Sequence, residues 1–148
     1  MNWNPPKFKI LGLWFTNNLE EMEKMNTYDK YLETITLFNI WAKRSTTPIG
    51  KVVVLKSLIL SKLIYLWIML PNPPDDLIDK LQKKCFEFVW EGKKDKIKRS
   101  IATYHTKLGG INLPDIKAYI HALKLTWIKR IFDKNTAKWK CLLNKKKS

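Results

Sequence analysis

The sequence predicts a mainly α protein, a helical bundle with a short N-terminal β-strand and a short extended basic segment. Three observations carry that expectation. Apolar residues recur every three or four positions along four stretches between residues 19 and 132, the period of amphipathic helices. Hydroxyl, aspartate and proline residues punctuate the pattern where helices start and stop. A single stretch near the N-terminus, residues 7–15, is instead rich in alternating, β-prone residues.

Taken in order, KFKILGLWF (residues 7–15) follows Pro5-Pro6 and meets the turn-forming Thr16-Asn17-Asn18, which reads as one short strand. Along residues 19–44 the positions Met22, Met25, Tyr28, Leu32, Ile35, Phe38 and Trp41 form an apolar stripe, with an interruption expected near Asn26. Thr46-Thr47-Pro48 supplies a hydroxyl cap and a proline at the first helical position, opening the longest and most apolar helix, residues 49–70, which Pro71 stops. Residues 52–70 have the length of a membrane span. Lys56 and Lys62 lie inside it, however, each costing about 2.5–3.5 kcal/mol near a bilayer centre, so no stable membrane insertion is expected.

After Pro71-Asn72-Pro73-Pro74, Asp75 and Asp76 open a third helix with the stripe Leu77, Leu81, Cys85 and Phe88, ending by Gly92. Residues 93–104 are basic and partly β-branched, the expected extended segment. Leu108-Gly109-Gly110 marks a turn. Pro114-Asp115 starts the last long helix, which runs to Phe132 with Ile116, Ile120, Leu123, Trp127 and Ile131 on one face and Lys117, His121 and Lys124 on another. A further short helix is expected over residues 137–143. The expected division is residues 1–18, 19–92 and 93–148.

Charge is distributed unevenly along this scaffold. The chain carries a formal +15, but residues 1–92 hold 12 Lys and Arg against 10 Asp and Glu, whereas residues 93–148 hold 16 against 3. Such an excess repels itself and calls for an anionic partner, a phosphate polymer before a membrane surface. Cys85 and Cys141 show no C-x-x-C spacing, and His105 and His121 make no ligand pattern with them, so a zinc site is not expected. Cys85 falls on an apolar stripe and reads as a buried thiol. MNWNPPKFKI lacks the charged-then-apolar order of a secretory signal, which points to an intracellular protein, nuclear or cytoplasmic.

Asp75-Asp76 resembles a pair that would hold divalent metal for phosphoryl transfer, yet carboxylates at a helix start have a simpler role in capping and in complementing the helix dipole. No phosphate loop, nucleophile elbow or paired acid–base arrangement occurs. Gly109-Gly110 before a helix start suggests a phosphate cradle, but Asp115 at that start would repel an anion, and a turn is the plainer reading. The cations are different in kind, because they run through consecutive segments: Lys93, Lys94, Lys96, Lys98 and Arg99, then Lys117, Lys124, Lys129 and Arg130. That continuity is what nucleic-acid contact needs.

Four stretches in order carry a family resemblance: KILGLWF (9–15), WAKRSTTPIGKVVVLKSLILSKLIYLWIMLP (41–71), FEFVWEGKKDKIKR (86–99) and LGGINLPDIKAYIHALKLTWIKR (108–130). Together they resemble the reverse transcriptase of non-LTR retrotransposons of the long-interspersed-element type. The resemblance implies a strand from the end of the palm, a helical thumb-like bundle, and a basic region just beyond. It implies a fragment of a transposable-element RNA-directed DNA polymerase that is inactive alone, because the family's paired palm aspartates would lie upstream of Lys9, and Asp75-Asp76 comes too late to be that pair. The full polymerase uses magnesium, while this chain would carry no cofactor. The implied partners are RNA, DNA or an RNA–DNA hybrid and the palm. On the same reading Lys51, Lys56 and Lys62 would track a template–primer duplex, with the later cations on template or target. The alternatives are a stand-alone basic helical module or adaptor co-opted from a retroelement, and a peripheral membrane protein.

Overall fold

The computed structural model describes residues 7–133 and 139–140. The expected helix over residues 137–143 falls largely outside them. The fold is mainly helical, with a two-stranded antiparallel sheet at its N-terminal end. The expected single strand is a hairpin: β1 (Lys7–Ile10) pairs with β2 (Leu13–Thr16), Lys7 opposite Thr16 and Ile10 opposite Leu13. The reversal falls at Leu11-Gly12, with φ of 50° and 84°, the two positive-φ positions that a tight hairpin turn demands. Leu11 bears the strain that glycine usually spares, which is why composition alone hides the turn.

Helix α1 (Leu19–Ala42) begins where the Asn18 side chain accepts from the Glu20 N–H at 3.0 Å. It continues through Asn26, where an interruption was expected. Asn26 is 3% exposed, and its amide bonds both backbone groups of Trp14, accepting from the N–H and donating to the C=O at 2.8 Å each, while also donating to the Met22 C=O. One helical side chain thus completes the edge of β2 and fastens the hairpin to α1. The buried residues of α1 are Asn26, Thr34 and Phe38, while Tyr28 and Leu32 of the expected stripe are exposed.

Helix α2 spans Pro48–Met69, capped by the Thr47 hydroxyl accepting from Gly50 N–H at 3.2 Å. Its centre, Leu55–Leu60, is wound as a π-turn. The wider turn brings Leu55, Ile59 and Leu60 all inward. By length and composition α2 could cross a membrane; within the bundle it packs on α1, and Ile49, Val53, Tyr65 and Met69 stay exposed. Helix α3 (Asp75–Trp90) buries Ile78, Leu81, Cys85, Phe86, Phe88, Val89 and Trp90. Burial pushes the Cys85 thiol up to about 12, an inert core thiol.

The basic segment after α3 is not a continuous extended stretch. Residues 93–98 form a loop, and Arg99–Ala102 then makes one helical turn, α4, followed by a 3₁₀ turn at Thr106–Leu108. The Ala102 C=O accepts from the N–H groups of both Ile111 and Leu113, which folds residues 103–113 back on α4. Gly110 makes this possible by close approach: a Cβ there would stand 2.0 Å from the Tyr104 carbonyl oxygen. Helix α5 (Ile116–Phe132) starts at Asp115, whose carboxylate accepts from Ala118 N–H at 2.9 Å. Gln82 of α3 reaches the same point, accepting from Ile116 N–H at 2.8 Å and donating to the Pro114 C=O at 3.3 Å.

One hydrophobic core runs from Leu13 through Phe38, the inner face of α2, α3 and Ala102 to Ile116 and Ile120. Phe38 meets Phe88 edge-on at 5.4 Å in its middle. Asn26→Ala should uncouple the hairpin by leaving two Trp14 backbone groups unpaired, at a cost of about 2 kcal/mol. Urea unfolding checks this as a lower midpoint with an unchanged slope.

Candidate nucleic-acid interface

The cations that the sequence singled out are sorted by the fold into distinct environments. Lys51 is not on the surface. It is 1% exposed, its ammonium 2.7 Å from Glu91 Oε1 and 5.8 Å from the centre of the Phe88 ring. A buried ammonium needs a carboxylate close by, and Glu91 meets that need from the end of α3. The expected track of Lys51, Lys56 and Lys62 therefore does not form, for the three are respectively buried, half-buried and exposed. Burial lowers the pKa of the Lys56 ammonium below the ordinary lysine value, and no carboxylate lies within ion-pair distance among the described residues.

Glu91 sits in the left-handed conformation at the C-terminus of α3 (φ 56°), followed by Gly92 at φ 69°. The reversed backbone turns its side chain back to Lys51, while Glu91 Oε2 takes Lys93 at 3.2 Å. The next anchors follow at once. Ile97 packs against the core, and Arg99 Nε donates to Asp95 Oδ2 at 2.8 Å with its guanidinium 4.8 Å from the centre of Phe86. Between these anchors exposure alternates: Lys94, Lys96 and Lys98 are exposed, Asp95 and Ile97 half-buried. The loop thus presents three lysines on one side and its anchoring groups on the other. None of the three pairs with a carboxylate among the described residues. Lys107, which the site assignment from sequence omitted, is exposed beyond α4.

Beside this strip runs a valley. A groove of about 540 Å³ is lined by Asp79, Lys83, Phe86, Arg99, Thr103, Asp115 and Lys117, and it shares Thr103 and Asp115 with a second groove of about 660 Å³ that reaches Lys56, Asn112 and Tyr119. The fold thereby unites Lys56, Arg99 and Lys117, and adds Lys83, missed because it reads as an ordinary solvated position of α3. The valley field is mixed in sign. Lys117 is held by Asp75 at 2.9 Å, and this neighbour keeps the lysine pKa above its ordinary value. The Lys124 ammonium donates to the Leu70 carbonyl at the end of α2, while burial lowers its pKa. Lys129 is exposed, and Arg130 lies 5.1 Å from the centre of Trp127.

Asp75 and Asp76 lie in the first turn of α3, where they complement the helix dipole, but they do not cap it: Pro74 holds the cap position with no side-chain hydrogen bond, and the two carboxylates pair with Lys117 and Lys80. Among the described residues no group of three or more His, Cys, Asp or Glu is placed to hold a metal ion. No protein-family model matches the sequence.

Glu91 carries a pH-dependent prediction. Its hydrogen bonds from Lys51 and then Lys93 hold its carboxyl below the ordinary glutamate value. A depressed folded value stabilises the fold above the glutamate range of the unfolded chain and loses that contribution as acid protonates the folded carboxyl. Glu91→Gln should lower stability near neutral pH, and its difference from wild type should narrow as pH falls through about 4 and below. Thermal unfolding across that range checks the sign.

Proposed function

We propose that the chain binds the sugar–phosphate backbone of nucleic acid through Lys94, Lys96 and Lys98, as a thumb-like piece of a non-LTR reverse transcriptase that is inactive alone. The observation that carries this reading is the alternation of exposed lysines with anchored residues in 94–98. Lys94, Lys96 and Lys98 alternate with the half-buried Asp95 and Ile97, so the three ammonium groups leave the loop on its exposed side. Cations held at alternate positions on a rigid body suit repeated contacts to a phosphate chain, and these contacts carry no base information. The charge of residues 93–148 and the four stretches resembling the retrotransposon polymerase support the same reading.

Catalysis falls to residues outside the chain on this account. The palm would supply the aspartates and the magnesium, and this piece would grip the template–primer duplex. A second reading, a stand-alone basic nucleic-acid-binding module, is favoured by the single core that joins the hairpin to α5. Primer extension by this chain would overturn both.

Binding to an RNA–DNA hybrid as a function of salt tests the proposal. If about six phosphates are neutralised, log K against log salt should fall with a slope of roughly −5. Substituting serine at Lys94, Lys96 and Lys98 together should weaken binding to all sequences alike and flatten that slope by about 2 to 3. An unchanged slope in the triple variant would place the phosphate contacts elsewhere, and a loss confined to one sequence would mean base readout.

A further inference from the structure

One face of the C-terminal half of α5 is left uncovered by the bundle, while Lys124 on another face reaches the Leu70 carbonyl. Ile120 is its last buried residue, whereas Leu125 is 60% exposed, Ile128 49% and Phe132 81%. Their i, i+3, i+7 spacing places them in one stripe, on a different side of the helix from Ile116 and Ile120, which face the core. Lys129 lies next to the stripe, whereas Arg130 falls on the other side of the helix, 5.1 Å from the centre of Trp127. Residues 129–148 carry eight Lys and Arg against the single acid Asp133.

The charge and shape of this end decide what can cover it. A second copy would bring two strongly cationic ends together, so self-pairing works against electrostatics. The stripe also lies outside the valley, since neither of its grooves reaches past Ala122. A partner helix docks best where a groove receives it, whereas a lipid interface accepts an apolar ridge flanked by cations. We propose that this end of α5 is an interfacial anchor for an anionic membrane surface. Leu125, Ile128 and Phe132 enter the boundary of the acyl chains, and Lys129 lies at the level of the acidic headgroups. An apolar stripe with a polybasic neighbour provides the two signals that stable peripheral anchoring requires. The anchor does not depend on the nucleic-acid reading, because it uses none of the strip lysines.

Flotation of the full chain with vesicles of phosphatidylserine and phosphatidylcholine, against phosphatidylcholine alone, tests it. The comparison variant is Leu125→Gln/Ile128→Gln/Phe132→Gln, which keeps helix-forming residues at exposed positions; far-UV circular dichroism verifies its fold. Wild type should float with the anionic vesicles only, and the variant should bind them at least about tenfold more weakly. RNA–DNA hybrid affinity, measured separately, should be equal in the two proteins. Equal flotation of both would reduce the effect to charge alone and overturn the anchor, as would no flotation of wild type. A concentration-dependent dimer abolished by the variant without a vesicle effect would make the stripe a contact between copies and also overturn it. Loss of hybrid binding by wild type would defeat the nucleic-acid proposal without touching this one.

Discussion

The Lys51 ammonium, enclosed beneath Phe88 at the start of α2, has to meet a carboxylate, and the course of the chain after α3 follows from that need. Glu91 reaches it only because Glu91 and Gly92 both adopt positive φ, which ends the helix and swings the backbone round. The same carboxylate holds Lys93, so the first residue of the basic loop is tied to the bottom of the bundle. Only the lysine side of this pair is buried, since Glu91 stays exposed, and its contribution here is geometric. The pair sets the direction in which Lys94, Lys96 and Lys98 leave the body.

Two other polar side chains act in the same manner. Asn26 satisfies both backbone groups of Trp14, and Gln82 satisfies the first amide of α5 and the carbonyl before its cap. The helices meet through apolar faces, but the hairpin, the first residue of the basic loop and the start of α5 are each held to them by one polar residue with two partners. Arg99 shows how this bears on charge. Its guanidinium is spent on Asp95 and Phe86, and that leaves its lysine neighbours to face outward.

Local chemistry was legible in the sequence, and long-range pairing was not. The Thr47-Pro48 and Asp115 helix starts, the stop before Gly92 and burial of Cys85 all follow from caps and periodicity within a turn or two. Asn26 read as a break because a polar residue in an apolar stripe has no local use; its use is Trp14, across the hairpin. Lys51 read like Lys56 and Lys62 because the carboxylate that pairs with it lies forty positions away. The hairpin turn was hidden since Leu11 is not a residue that advertises positive φ. In the basic segment the cations were plain, but which of them face outward depends on Ile97 reaching the core and Asp95 meeting Arg99.

The account stands on the claim that the lysine strip is held by its anchors and is not a flexible charged tail. Backbone ¹⁵N relaxation of the free protein measures this directly at Lys94, Lys96 and Lys98. Order parameters near about 0.85, equal to those of α3, are the predicted result. Values below about 0.6 across the three lysines would contradict it.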